Sequence, residues 1–144
     1  GCVQKDGGGI GVCRAYCCGD VEACETDTWC VPQHMVAGGP KIPVCIPETP
    51  CSLLDDSRPC SNGLICTIVR HDGTTSCVEP GTGMIGDDCP CAQGFVCSPL
   101  TETCLQLCHL NHDTECPDGG VCVAATSGYP DGIGTCAGGN MSAY

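Results

Sequence analysis

Apolar residues in this chain come in short runs, and none repeats with a helical period long enough to hold a helix alone. Leu64-Ile-Cys-Thr-Ile-Val69 is the longest run, interrupted by Thr67 and rich in β-branched residues. It predicts a strand. Asp72-Gly73 follows as a favoured tight-turn pair and Thr74 to Val78 returns, which completes a β-hairpin. Val121-Cys-Val123 reads the same way, turning through Tyr129-Pro-Asp-Gly132 and returning from Ile133 to Cys136. Trp29-Cys-Val31 turns at Gly38-Gly-Pro40 and comes back at Val44-Cys45, with Pro43 suited only to an edge. Cys97 to Cys104 is the shortest version, and Ala15 to Cys24 could make a turn or two of helix.

These hairpins sit in a repeated cysteine frame. Cys60-Ser-Asn-Gly-Leu-Ile-Cys66, Cys91-Ala-Gln-Gly-Phe-Val-Cys97 and Cys116-Pro-Asp-Gly-Gly-Val-Cys122 each place Gly third among five residues between two cysteines. One cysteine lies upstream of each (Cys51, Cys89, Cys108) and one downstream (Cys77, Cys104, Cys136). The shared glycine is expected to supply a positive φ in the turn that feeds the hairpin. Cys24 to Cys30 is a degenerate copy without it, with Cys17 or Cys18 upstream and Cys45 downstream. The expected organisation is therefore an N-terminal Gly-rich segment (1–16), a degenerate module (17–46), modules at 51–78, 86–105 and 108–137, and a tail (138–144). Pro- and Gly-rich stretches at Ile46–Pro50 and Glu79–Gly83 read as hinge-like spacers. The last two modules have almost no linker and are expected to pack end to end.

Composition decides what holds such modules together. Leu, Ile, Val and Phe supply only 26 of 144 residues and the net charge is -12, a balance that alone would predict disorder. Nineteen cysteines reverse that reading. Each bridge contributes about 2–4 kcal/mol by restricting the unfolded chain. The expected fold is thus small and disulfide-rich, with tandem Cys-stapled β-hairpins, little helix and little hydrophobic core. Bridges at this density persist outside the cell, at the cell surface or in a periplasm, which implies a leader removed from or preceding this segment. With 17 acidic against 5 basic residues, neither nucleic acid nor an anionic membrane surface is an expected partner. No apolar run is long enough to span a membrane.

Residues 51–104, with Gly86-Asp-Asp-Cys89 opening a module and Cys89-Pro-Cys91 inside it, resemble the colipase-like fold of dickkopf and prokineticin domains. The resemblance implies first-to-third and second-to-fourth bridges in each half: Cys51–Cys66, Cys60–Cys77, Cys89–Cys97 and Cys91–Cys104. Both cysteines of that family's bridge between halves are missing, since Ile65 stands where a Cys-Cys pair would begin and Cys89 is single. The remainder, with Thr114-Glu-Cys-Pro-Asp-Gly-Gly-Val-Cys122, is similar to tandem Cys-rich modules of secreted proteins and lipoproteins from myxobacteria-like bacteria. Carried to the other modules, the pattern implies Cys108–Cys122, Cys116–Cys136, Cys24–Cys45, and Cys30 with Cys17 or Cys18. The arrangement adopted is Cys18–Cys30 with Cys13–Cys17. Cys2 is then the odd cysteine, followed by a Gly-rich stretch as in a bacterial lipoprotein. It could carry a lipid anchor, an interchain bridge or an internal one.

Candidate chemistry is sparse. Cys104-Leu-Gln-Leu-Cys108-His109 is one residue longer than a haem-attachment motif, although the module frame already accounts for both cysteines. His109, His112 and Asp113 could hold a metal but read as a solvated loop. Asp55-Asp56, Asp87-Asp88 and the acidic stretch Asp113 to Asp118 could bind calcium, but none has a calcium-loop spacing, and the reading adopted is a solubilising surface with no metal and no cofactor. Trp29 beside Cys30 could form a Cys–Trp cofactor and reads as packing. No nucleophile stands near a base. The expected function is a non-enzymatic extracellular or cell-surface structural or binding protein, such as a filament, surface-layer or adhesion subunit, contacting a protein partner or itself through strand edges, Val and Met. The alternatives are an accessory subunit of a periplasmic or extracellular oxidoreductase, and a secreted receptor ligand or inhibitor.

Overall fold

The turn chemistry and the cysteine frame produce paired strands in each module. The computed structural model describes residues 2–3, 12–17, 23–34, 37–98, 100–125 and 128–138. Strand β1 (Cys2–Val3) pairs antiparallel with β2 (Val12–Cys13), setting Cys2 opposite Cys13. Hairpins follow at β3 (Thr28–His34) with β4 (Lys41–Pro47) and β5 (Ile65–Ile68) with β6 (Thr75–Val78). Then come β7 (Phe95–Cys97), β8 (Cys104–His109), β9 (Val121–Ala124) and β10 (Ile133–Ala137). Helix is scarce, with 3-10 turns at Asp113–Glu115 and Pro117–Gly119. The chain divides into two compact units, Gly1–Glu48 and Thr49–Tyr144, at the first of the two spacers.

In the first unit the chain runs extended along β4. The Cys45 N–H donates to Ala15 O at 2.9 Å, the Cys17 N–H donates to Pro43 O at 3.3 Å, and Tyr16 bridges Val44, which is fully buried. Residues 43 and 45 therefore turn their backbone groups away from β3. Pro32 and Pro43, directly opposite each other, form a non-hydrogen-bonded pair that needs no N–H from either. The same alternation puts Cys17, Cys30 and Cys45 on one face of the sheet and Tyr16, Trp29, Val31 and Val44 on the other.

That alternation corrects one pairing. Cys30 bonds Cys17, not Cys18, with Cα atoms 5.8 Å apart, so Cys17 is not the partner of Cys13 either. One position along an extended chain switches faces, and position 17 shares the face of Cys30. Cys13 is itself disulfide-bonded. Cys18 and the side chain of Cys2 lie outside the described residues.

The remaining described bridges are Cys24–Cys45, Cys51–Cys66, Cys60–Cys77, Cys89–Cys97, Cys91–Cys104, Cys108–Cys122 and Cys116–Cys136. In each module the two bridges abut, with three sulfurs within 4.8 Å of one another. Polarisable sulfur takes the place that aliphatic side chains fill in larger cores. The repeated glycine has the expected conformation: φ is 75° at Gly63, 84° at Gly94 and 74° at Gly119. In the degenerate copy that place belongs to Asp27, which holds φ at 63°, a region Asp tolerates better than most residues.

The second unit joins its modules through a shared strand. β7, β8, β10 and β9 form one sheet in that order. Residues 104–106 of β8 close the third module against β7, and residues 107–109 open the fourth against β10. The last two modules are thus fused side by side. Pleating sends Cys97, Cys104, Cys108, Cys122 and Cys136 to one face of the sheet. The other face carries Val96, Leu105, Leu107 and Ile133, which pack with Cys51, Leu53 and Cys66 of the second module and with Tyr129. One apolar cluster therefore serves three modules. The second spacer is packed rather than free. Gly81 and Gly83 donate to Cys91 O and Pro90 O at 3.0 and 3.1 Å, and a Cβ on Gly81 would lie 2.1 Å from Pro90 O.

Candidate functional site

A groove of about 360 Å³ opens between the second and third modules. Leu53, Leu54, Leu64 and Ile65 supply apolar walls, Asp55 and Asp56 the charge, and Gln93 and Gly94 the opposite rim. It forms because the cysteine-anchored loop after Cys51 cannot extend. The Ser52 N–H donates to Arg58 O at 3.0 Å, and Asp55 Oδ1 accepts the Ser57 N–H at 2.8 Å. Hydrogen bonds from Ser57 hold the Asp55 carboxyl below the usual carboxylate range, with a smaller contribution from His109. Asp55 is therefore ionised at neutral pH.

The end of β8 and the 3-10 turn that follows it gather two imidazoles around one carboxylate. Glu115 Oε1 lies 2.9 Å from His109 Nδ1 and 3.7 Å from His112 Nδ1. Glu115 Oε2 accepts the His109 backbone N–H at 2.8 Å. The two rings sit 5.8 Å apart between centroids. Gln106 Nε2 donates to Glu115 O at 2.8 Å, tying the turn back to the strand. Hydrogen bonds from His109 lower the Glu115 pKa, so the group is a carboxylate. Sequence spacing suggested Asp113 for this place. Asp113 instead accepts the Cys122 N–H at 3.0 Å, and the 3-10 turn brings Glu115, part of the acidic stretch read as a solubilising surface, back over β8.

The other sequence candidates are dispersed. Cys104 and Cys108 are bonded to Cys91 and Cys122 on one face of β8, and His109 belongs to the other, so neither sulfur is free to take a haem thioether. Asp87 Oδ2 accepts the Met84 N–H at 2.9 Å and Asp55 Oδ1 the Ser57 N–H, each within its own loop, whereas Asp113 accepts from Cys122 in β9. Trp29 lies opposite Ile46, on the face away from Cys30, whose sulfur is held by Cys17. Its buried Nε1 has no hydrogen-bond partner among the described residues. Comparison with protein-family models, curated proteins and solved structures gives no match to this chain.

Proposed function

We propose that this chain is a non-enzymatic extracellular or cell-surface binding protein, a stapled scaffold that presents the acidic groove to a basic segment of a partner protein. Its disulfide density is that of extracellular or periplasmic proteins. Among the described residues no helix is long and apolar enough to cross a membrane. The observation that carries the reading is the single apolar cluster spanning three modules, which fixes the loop bearing Asp55 and Asp56 against the rim at Gln93 and Gly94. A groove held this way loses little conformational entropy on binding.

Charge and edges favour a different protein over a second copy. Two chains of net charge -12 repel at long range, whereas a Lys- or Arg-bearing segment is drawn in. Strand addition is hindered on two edges: Pro32 interrupts the outer edge of β3, and Asp113 occupies that of β9. Filament, surface-layer or adhesion roles would then use faces and loops. The test combines sedimentation with an absorbance spectrum of the purified, non-reduced protein. A colourless monomer that binds an immobilised Lys-rich extended peptide, and loses it on Asp55→Asn with Asp56→Asn, supports the reading. A visible cofactor band would favour the oxidoreductase subunit instead, and self-association unaffected by those substitutions would favour an assembly subunit.

A further inference from the structure

The geometry points to a binding site for a divalent transition cation of the Zn²⁺ class, formed by His109, His112 and Glu115. Two kinds of ligand suited to such a cation, imidazole nitrogen and carboxylate oxygen, meet in a seven-residue stretch. Ligands about 2.0–2.1 Å from a tetrahedral metal stand about 3.3 Å from one another. The two Glu115 separations, 2.9 Å to His109 and 3.7 Å to His112, bracket that value. The remaining edge, between the two imidazoles, is wider: the three ligand atoms do not all lie within 4.8 Å. His112 closes it by side-chain rotation, for which its 65% exposure leaves room.

The cluster is held from below rather than assembled by chance on a loose loop. Glu115 is pinned through its second oxygen by the His109 N–H and through its own carbonyl by Gln106, leaving one side chain to move. The neighbouring carboxylate of Asp55 and the net charge of -12 favour a cation over an anion. Of the other two histidines, His34 Nδ1 contacts Gly39 O within the first unit, and His71 lies in the β5–β6 turn. A fourth coordination position would be left to water or to a side chain of a partner.

Isothermal titration of the disulfide-intact chain with Zn²⁺ tests this. One saturable equivalent is expected, weakened at least about tenfold by His112→Ala or Glu115→Gln and unchanged by His71→Ala. Zn²⁺ should shift the ring resonances of His109 and His112 and leave those of His34 and His71 in place. The near-ultraviolet circular dichroism of His112→Ala shows whether the fold persists; that exposed residue carries the test if Glu115→Gln misfolds. Absence of saturable binding, an equal loss on His71→Ala, or displacement of Zn²⁺ by equimolar Ca²⁺ would overturn the assignment, the last by revealing only a diffuse acidic surface.

Discussion

Asp113 Oδ1 accepts the backbone N–H of Cys122 at 3.0 Å, on the side of β9 that faces away from β10. The carboxylate takes the place a neighbouring strand would take. Val121 and Val123, 46% and 39% exposed, lie along the same strand. Asp113→Ala is expected to cost about 0.5–1.5 kcal/mol, the usual net worth of such a bond. It should also open a short apolar edge to other chains. Denaturant melts would give the first effect, and concentration-dependent sedimentation the second.

A second prediction concerns the turn residue that recurs in every module. Gly63→Ala places a Cβ at φ 75° and should destabilise the protein by about 1–2 kcal/mol. Asp27→Gly relieves the corresponding cost at φ 63° and should be neutral or stabilising by up to about 1 kcal/mol. A clear loss at Gly63 with no loss at Asp27, read from non-reducing thermal melts, is the expected result.

pH should act through Asp72. Its carboxylate accepts the Thr74 N–H at 2.9 Å and the Thr74 hydroxyl at 2.6 Å, which together hold its pKa below the usual value, with Arg70 adding a smaller effect. A group whose folded pKa is depressed stabilises the fold above its unfolded pKa, about 3.9, and that contribution is lost as pH falls through the lower folded value. Wild type should therefore exceed Asp72→Asn in melting temperature near neutrality. The gap should narrow progressively below about pH 4.

Bridge mapping by mass spectrometry gives a fourth test. The register places Cys2 opposite Cys13, which is disulfide-bonded, while Cys17 is taken by Cys30. A bridge between directly opposed residues needs no backbone shift. The expected peptides link Cys2 to Cys13 and leave Cys18 as the odd thiol. A lipid on Cys2, or a Cys13–Cys18 peptide, would refute this.

The hairpins were legible because their signals are local: β-branched runs, Asp-Gly and Pro-Asp-Gly turns, and a glycine held between two cysteines. The choice between Cys17 and Cys18 was not, because it depends on which face of β4 the segment 15–17 meets. The spacer at Glu79–Gly83 misled for a related reason. Glycine there permits the close approach of Gly81 to Pro90, and composition does not separate that use from flexibility. The pairing of Glu115 with His109 was not legible either, because Asp113 is the nearer acid in sequence and only the folded turn commits it to the Cys122 N–H.

The sharing of β8 has a consequence for how such a chain can change over generations. Arrays of independent repeats lengthen and shorten by duplication or deletion of whole units. Here, removing residues 108–137 would strip β10 from β8 and take Tyr129 and Ile133 from the cluster that covers Leu53 and Cys66. Residues 49–144 are therefore a single heritable block, in which point substitution at the groove and loops is the accessible route to new specificity. Residues 1–48, forming the other compact unit, are the part that recombination could exchange.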